Sequence, residues 1–163
     1  MVLHRIRIAK EKAELVQSLT ESEGKVGPFQ TYADVIVFAA MLGLKRKKRV
    51  PVKTASKREP APISMEVFIS RGYDLAIKLM SLSETQETSI LSSYNSDAET
   101  QRTQIFEEYA NGGLEILQDE FRGSVDYTNQ ILLLLTVERD KTPFRRGERP
   151  DSSSEEFDLS RFL

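Results

Sequence analysis

The sequence contains no cysteine and no tryptophan, and its single histidine, His4, lies near the N-terminus. The absence of cysteine excludes disulfide bonds, a thiol nucleophile and zinc sites with sulfur ligands. One histidine is too few for a histidine-based metal cluster, and its position near the chain end does not suit a catalytic triad. No segment matches the phosphate-binding pattern GxxxxGK[ST]. We therefore expect no enzymatic activity, no cofactor and no bound metal.

Long apolar runs are also missing. The runs Ile131–Leu135 and Val35–Leu42 are both far shorter than the roughly 20 residues that span a bilayer. The N-terminal residues lack the apolar stretch of a secretory signal. The chain has 163 residues, of which 39% are hydrophobic and 29% charged, a composition typical of one globular domain. We therefore expect a cytoplasmic protein that does not associate with a membrane.

The charge is distributed unevenly along the chain. Residues 1–60 carry 13 Lys and Arg against six Asp and Glu, whereas residues 61–163 carry 10 against 19. The densest positive stretch is Lys45–Arg49, and Lys53, Lys57 and Arg58 follow it. Clustered cations gain affinity for DNA by releasing its counterions, although a solvated basic linker would have the same composition. DNA contacts, if present, should therefore come from the N-terminal part.

Helical spacing of apolar residues dominates the sequence and predicts a mainly α protein, a compact bundle of about five or six helices. The predicted helices are 9–21, 32–44, 64–70, 73–81, 97–121 and 126–139. The alternation of Arg5, Ile6, Arg7 and Ile8 predicts one short strand with the arginines outward. By composition, we divide the chain into a basic strand-helix-helix segment (1–49), a Pro-rich connector (50–63), an acidic helical segment of the same domain (64–139) and a disordered acidic tail (140–163).

Four local patterns add detail to the predicted helices. Thr31 precedes Asp34 by three residues, as in a capping box, and Asp97 is a candidate N-cap of the longest helix. Residues Val35–Leu42 are apolar nearly all round, which indicates a central core helix or a subunit interface and favours a homodimer or complex subunit. The Gly112-Gly113 pair indicates either a kink or the close approach of another backbone. The last helix is expected to bury Ile131–Leu135.

Acidic residues offer one alternative chemistry. On a helix, Glu108, Glu115 and Asp119 would share a face, and a divalent cation prefers such oxygen ligands. A solvated acidic face explains the same pattern, and no histidine or basic side chain accompanies it for acid–base work. We favour the solvated face.

Five stretches of this sequence resemble a known family, the DNA phosphorothioation-associated protein 4 family, also called dnd system-associated protein 4. The stretches are Arg5-Ile-Arg-Ile-Ala-Lys10, Gly27-Pro-Phe-Gln-Thr-Tyr-Ala-Asp34, Lys45-Arg-Lys-Lys-Arg-Val-Pro51, Arg71-Gly-Tyr-Asp74 and Ile105-Phe-Glu-Glu-Tyr-Ala-Asn-Gly-Gly-Leu-Glu-Ile-Leu117. The resemblance implies a bacterial accessory protein of the system that replaces a non-bridging phosphate oxygen of DNA with sulfur, a modification linked to defence and restriction. It implies a pathway and no catalytic residue.

The N-terminal stretch is also similar to the start of the small DndE proteins of that pathway, and through them to ribbon-helix-helix regulators. Such a resemblance would place Arg5 and Arg7 on the DNA-facing side of the strand. The predicted DNA-binding residues are Arg5, Arg7, Lys10, Lys45, Arg46, Lys47, Lys48 and Arg49. They would contact double-stranded DNA, with other proteins of the system as partners.

We therefore interpret the chain as a non-enzymatic DNA-binding or assembly subunit of a phosphorothioation-linked defence system. Two alternatives remain open at this point. One is an adaptor that binds a nuclease or ATPase partner through its acidic half. The other is a transcriptional regulator of ribbon-helix-helix type.

Overall fold

The computed structural model describes residues 4–141, which are mainly helical with one two-stranded antiparallel sheet. The elements are β1 (Arg5–Ile6), α1 (Ala13–Leu19), α2 (Tyr32–Lys45), β2 (Ile63–Ser64), α3 (Met65–Ser70), α4 (Asp74–Thr85), α5 (Ser96–Glu120) and α6 (Tyr127–Lys141). Short 3₁₀ helices cover Lys10–Lys12 and Thr88–Leu91. The predicted mainly α fold with a short N-terminal strand is confirmed.

The chain divides into one compact unit that ends at Ile131 and a second that begins at Leu132. Of the second unit, the structure describes only the part of α6 that reaches Lys141. Most of the predicted tail, 140–163, lies outside the described residues, while Asp140 and Lys141 belong to α6. The division into segments at residues 49 and 63 stays a prediction.

The core of the first unit is built around α2, which packs along α5. The predicted capping box starts α2, because the Thr31 hydroxyl accepts from the Asp34 backbone N–H and the Asp34 carboxylate accepts from that of Thr31. Seven apolar side chains of this helix are buried within the chain itself: Ala33, Val35, Ile36, Val37, Ala39, Ala40 and Leu42. The core therefore accounts for the apolar character of α2, which gives no reason to infer a subunit interface there.

The glycine pair of α5 allows a close helix contact. A β-carbon on Gly113 would lie 1.7 Å from the carbonyl oxygen of Ala39 in α2, which is far too close for a carbon and an oxygen atom that are not bonded to each other. One on Gly112 would lie 2.0 Å from the Lys48 carbonyl oxygen. Of the two sequence interpretations, the close approach of another backbone is therefore confirmed, and it offsets the low helix propensity of glycine.

Several predicted boundaries shift. The helix expected over 9–21 is a 3₁₀ helix followed by α1, and α4 extends to Thr85. Asn95, and not Asp97, caps α5, since its side chain accepts from the backbone N–H groups of residues 97 and 98. A capping side chain must lie just before the first helical turn, and Asp97 lies already inside it.

The expectation for α6 was wrong in part. Ile131 and Leu134 are buried, whereas Leu132, Leu133 and Leu135 are 57%, 59% and 48% exposed. Five consecutive residues cover the whole circumference of an α-helix, which has 3.6 residues per turn. Such a run cannot point to one side, and three of its leucines face solvent.

Candidate nucleic-acid interface

Arg5, which lies in β1, and Arg7, which follows β1, have different surroundings although both were predicted to contact DNA. Arg5 is exposed, and its side chain has no hydrogen-bond or ion-pair partner among residues 4–141. The Arg7 guanidinium binds the carboxylate of Glu107 in α5, with Nη2–Oε1 at 2.6 Å and Nε–Oε2 at 3.1 Å. The Arg7 backbone N–H donates to the same carboxylate at 2.8 Å. This hydrogen bonding raises the pKa of Arg7 above its usual range.

Glu107 fixes the role of Arg7. Its side chain is only 5% exposed, whereas that of Arg7 is 51% exposed. If the guanidinium moved to a base or a phosphate, a buried carboxylate would lose its charged partner, which is costly. The structure thus gives Arg7 a tertiary contact, and a DNA contact through this residue stays a prediction.

The hydrogen-bonded neighbour of β1 belongs to the same chain. Arg5 lies opposite Ser64 and Ile6 opposite Ile63 in β2. In ribbon-helix-helix proteins, by contrast, the strands that enter the groove come from the two subunits of a dimer. The structure therefore gives no support to the ribbon-helix-helix alternative.

The basic loop, which we define as Lys45–Arg49, lies against the acidic face of α5. Its backbone is held by Lys48 N–H donating to the Gly43 carbonyl at 2.8 Å, and the next residue, Val50, donates to the Glu108 carbonyl at 3.0 Å. Three of its five cations face carboxylates: Arg46 pairs with Glu120, Lys48 with Glu115 at 3.6 Å, and Arg49 with Glu108 at 2.6 Å and Glu84 at 2.8 Å. The loop is therefore part of the tertiary structure, not a free linker.

Arg49 is the most strongly held residue of this loop. Its guanidinium carbon lies 5.9 Å from the centre of the Tyr109 ring, and the Tyr109 hydroxyl donates to Glu84. Burial and the hydrogen bond to Glu84 raise the pKa of Tyr109 to about 12. The same hydrogen bond, followed by the contact with Arg49, holds the pKa of Glu84 below its usual value although burial opposes this. Replacing the whole loop would therefore remove its contacts with α4 and α5.

The other two lysines of the loop point outward. Lys45 is the last residue of α2, where a cation suits the helix dipole, and it is exposed. Lys47 is exposed as well, has a backbone φ of +53° and has no side-chain partner among the described residues. Lys47 is therefore the loop position best able to reach a polyanion.

Lys10 lies in a second basic region that sequence reasoning found only in part. The Lys10 backbone N–H donates to the Thr54 carbonyl at 3.0 Å, and the Ser56 N–H donates to the Ile8 carbonyl at 2.7 Å. Residues 54–56 thus run antiparallel beside residues 8–10, and β2 continues along β1. This pairing brings three further exposed cations into the same region: Lys53, Lys57 and Arg58.

These three cations were noted in the sequence but not assigned to the site, because their positions depend on backbone pairing between segments 45 residues apart. We define the N-terminal cation surface as Arg5, Lys10, Lys53, Lys57 and Arg58. None of the five side chains has a hydrogen bond or an ion pair within residues 4–141. They are the cations best able to bind a polyanion without breaking an internal contact.

A buried lysine links the basic loop to the N-terminal region. Lys12 is 4% exposed, and its Nζ donates to the side-chain oxygen of Asn111 at 2.8 Å and to its carbonyl at 3.1 Å. Asn111 Nδ2 in turn donates to the carbonyls of Val50 and Pro51 at 3.0 and 3.2 Å. Burial lowers the pKa of Lys12 despite nearby carboxylates. This chain of hydrogen bonds fixes the exit of the basic loop and leaves Lys12 out of reach of DNA.

Asp34 forms another polar cluster. Its carboxylate accepts from the Tyr73 hydroxyl at 2.6 Å and from both Nε and Nη2 of Arg71, at 3.1 and 2.9 Å. Burial by itself would raise the pKa of Asp34, but the hydrogen bonds from Tyr73, Thr31 and Arg71 outweigh it and lower the pKa. Since the same carboxylate completes the capping box, the cluster ties the start of α2 to the turn before α4.

The acidic residues considered as a metal site have cations as partners. Glu108 and Glu115 pair with Arg49 and Lys48, and Asp119 with Arg122 at 3.3 Å. Within residues 4–141, no three His, Cys, Asp or Glu side chains converge as metal ligands would. The acidic face of α5 is partly covered by the basic loop.

The geometry thus defines a small helical protein whose polar clusters hold tertiary contacts and whose N-terminal cation surface faces solvent. A family model, DNA sulphur modification system-associated protein 4, matches residues 5–162. The chain belongs to this family, so it has a role associated with a DNA sulphur modification (dnd) system. Neither the curated proteins nor the solved structures give a match. No helix of the described residues is long and apolar enough to cross a membrane.

Proposed function

We propose that the protein is a non-enzymatic DNA-binding subunit of a complex that serves a DNA sulphur modification system in bacterial defence. The observation that carries this proposal is the N-terminal cation surface. Its five cations have no acidic partner within residues 4–141, whereas Arg46, Lys48 and Arg49 are held by carboxylates. Cations without a partner can exchange their counterions for DNA phosphates at no cost in broken ion pairs.

The proposal moves the main DNA contacts away from the basic loop. Paired loop cations would have to leave their carboxylates, which offsets much of the gain from a phosphate. Lys47 extends the surface from the loop side. We expect contacts to the phosphate backbone and no base reading, because Arg5 comes from a two-residue strand, Lys10 from a three-residue 3₁₀ helix and the other three cations from an irregular segment, and none of them comes from a helix that could enter a groove.

The test is a salt series with a fluorescent 20-base-pair duplex, read by anisotropy. The parent protein should bind, and log affinity should fall linearly with log salt concentration. Arg5→Gln with Lys53→Gln should reduce the slope by about 0.9 for each phosphate that is no longer neutralised. The matched control is Arg122→Gln with Arg139→Gln, which removes the same charge from two exposed positions elsewhere. If both pairs of substitutions have equal effects, the change in net charge alone explains the result. Absence of any binding at low salt would refute the proposal.

A second candidate function, an assembly adaptor, is favoured by the exposed apolar side chains of α6. Leu132, Leu133 and Leu135 are joined there by Val137, which is 39% exposed. Exposed apolar patches of this kind are typical of protein interfaces. Co-purification of the parent and of Leu132→Ser/Leu133→Ser with the other proteins of the system would test it. Unchanged co-purification of the variant would exclude this face, and sedimentation of the isolated protein would show whether it forms a homodimer.

A further inference from the structure

A cavity of about 660 Å³ lies between α1 and the irregular segment 54–59. The antiparallel pairing of residues 8–10 with 54–56 forms one side of it. After Ser56 the chain leaves this pairing and turns toward α1, where the Gln17 side chain donates to the Glu59 carbonyl. Backbone contacts at both ends therefore hold the segment that encloses the cavity.

Three cations line this cavity: Lys10, Lys57 and Arg58. They belong to the N-terminal cation surface, so none has a hydrogen-bond or ion-pair partner in residues 4–141. The buried Ser56 hydroxyl donates to the Arg58 carbonyl at 2.9 Å, which fixes the backbone between the two cations of the segment. Cationic side chains gathered around a cavity in this way make it attractive to an anion.

The charge balance of the lining limits the kind of anion. Glu14 and Glu59 also line the cavity, so its five charged lining residues carry a net formal charge of +1. This value complements one monoanion and disfavours di- or triphosphates. A phosphodiester carries a single negative charge, as does its sulfur-substituted form.

The size and the remaining walls fit the same ligand. The cavity volume falls within the range of about 300–1,000 Å³ of small-molecule sites, so it has room for a phosphate group together with part of its sugar. The methyl groups of Ala13 and Ala55 supply an apolar wall beside the cations. A wall of that kind suits the carbon skeleton of a nucleotide better than a free, fully hydrated inorganic phosphate.

We propose that this cavity binds one backbone phosphodiester of a nucleic acid, with Lys57, Arg58 and Lys10 as the residues that contact the anion. The proposal rests on the DNA-binding function proposed above and assigns it a defined subsite. The arrangement predicts opposite effects from the two kinds of lining residue. Loss of a cation weakens binding, and loss of a lining carboxylate strengthens it.

The experiment uses the full chain and two probes, the fluorescent duplex and the dinucleoside monophosphate TpT, which contains a single phosphodiester. Lys57→Gln/Arg58→Gln should weaken duplex binding at least tenfold in moderate salt and lower the salt slope by about 0.9 for each of the two cations removed. Glu14→Gln should tighten binding several-fold. Its matched control, Glu23→Gln, makes the same charge change at an exposed position outside the cavity and should have little effect.

TpT locates the site independently of the duplex. In the parent protein it should shift the backbone amide NMR signals of Lys10, Ala13 and residues 54–58, and these shifts should disappear in Lys57→Gln/Arg58→Gln. Arg5→Gln/Lys53→Gln should keep them. Inorganic phosphate should bind more weakly than TpT at the same residues, and tighter phosphate binding would overturn the assignment to a diester.

The outcomes separate the two proposals. If the duplex binds and Lys57→Gln/Arg58→Gln binds it as tightly as the parent, the cavity is not the subsite, although the DNA-binding function stands. If the duplex does not bind, the function fails, and absence of TpT shifts then removes the cavity proposal as well. A duplex with one phosphorothioate distinguishes the two diester forms: tighter binding means that the cavity reads the sulfur, and equal binding means that it reads the backbone.

Discussion

The contact between Arg7 and Glu107 gives the sharpest test of how the N-terminus is used. Arg7→Ala would leave the Glu107 carboxylate, which is 5% exposed, with only the backbone N–H of residue 7 as a hydrogen-bond donor among the described residues. Removing one partner of a buried ion pair costs about 3–5 kcal/mol. Because the Arg7 side chain is half exposed and its charge is screened by solvent, we expect about 2–3 kcal/mol.

That loss corresponds to a fall in Tm of roughly 4–12 °C, at about 2–4 °C for each kcal/mol in a protein of this size. Arg5→Ala is the matched control, since Arg5 lies in the adjoining strand β1 and has no partner within residues 4–141. Its effect on stability should stay within about 0.5 kcal/mol. Denaturant unfolding measures both, and the double replacement Arg7→Met/Glu107→Met should recover much of the stability because it removes both charges.

The two variants should have the opposite order of effects on DNA binding from the one they have on stability. At a temperature where both are folded, Arg5→Ala should lower the salt slope, whereas Arg7→Ala should bind duplex nearly as the parent does. The reasoning fails if Arg7→Ala is as stable as Arg5→Ala, or if it is the variant that loses DNA affinity.

The core and its polar clusters give three further predictions. Gly113→Ala should destabilise the protein by at least ~3 kcal/mol in denaturant unfolding, because its β-carbon would collide with the Ala39 carbonyl and push α2 from α5; a normal unfolding midpoint would contradict the close approach. The pKa of Asp34 is lowered in the folded state, so its stabilisation is present above the unfolded value near ~3.9 and is lost as pH falls below it; thermal melts should show a weaker acid dependence for Asp34→Asn than for the parent, and parallel curves would refute this. The pKa of Tyr109 is raised to about 12, so its stabilisation is complete below about pH 10 and is lost as pH rises toward 12; since the hydrogen bond to Asp34 also raises the pKa of Tyr73, the test uses Tyr73→Phe as the background, in which phenolate absorbance should show a late-titrating tyrosine that the further change Tyr109→Phe removes, and its persistence in the double variant would assign it elsewhere.

Features that depend on neighbouring residues could be predicted from the sequence. The capping box needs only Thr31 and Asp34, which are three residues apart, and it is present. Apolar periodicity located α2 and α5 to within one or two residues. From the glycine pair we predicted either a kink or the close approach of another backbone, and the structure shows the close approach. These patterns are local, because the residues that cause each of them lie within a single segment.

Features that join distant segments could not be predicted. Arg7 and Glu107 are 100 residues apart, and nothing near Arg7 reveals that a buried carboxylate will hold it. The alternating pattern correctly predicted that the Arg7 side chain points away from the sheet. That direction leads to α5 as well as to solvent. The loop from Lys45 to Arg49 likewise has the composition of a linker, and its packing is evident only in the structure, where its Lys48 carbonyl lies against Gly112.

The stretches that identify the family are the ones that build these distant contacts. The stretch from Arg5 to Lys10 meets the stretch around Glu107, and the loop before Pro51 is held by Asn111 of that same stretch. Asp34, at the end of a third stretch, is held by Arg71 and Tyr73 of a fourth. Maintenance of the fold is therefore a sufficient reason for these stretches to be characteristic of the family, and no catalytic role is needed to explain them. Of the residues proposed to bind DNA, Arg5 and Lys10 lie within the first stretch, whereas Lys53, Lys57 and Arg58 lie outside all five. Substitutions of the residues that hold these distant contacts should therefore lower stability. Substitutions of the unpaired surface cations should lower DNA affinity instead.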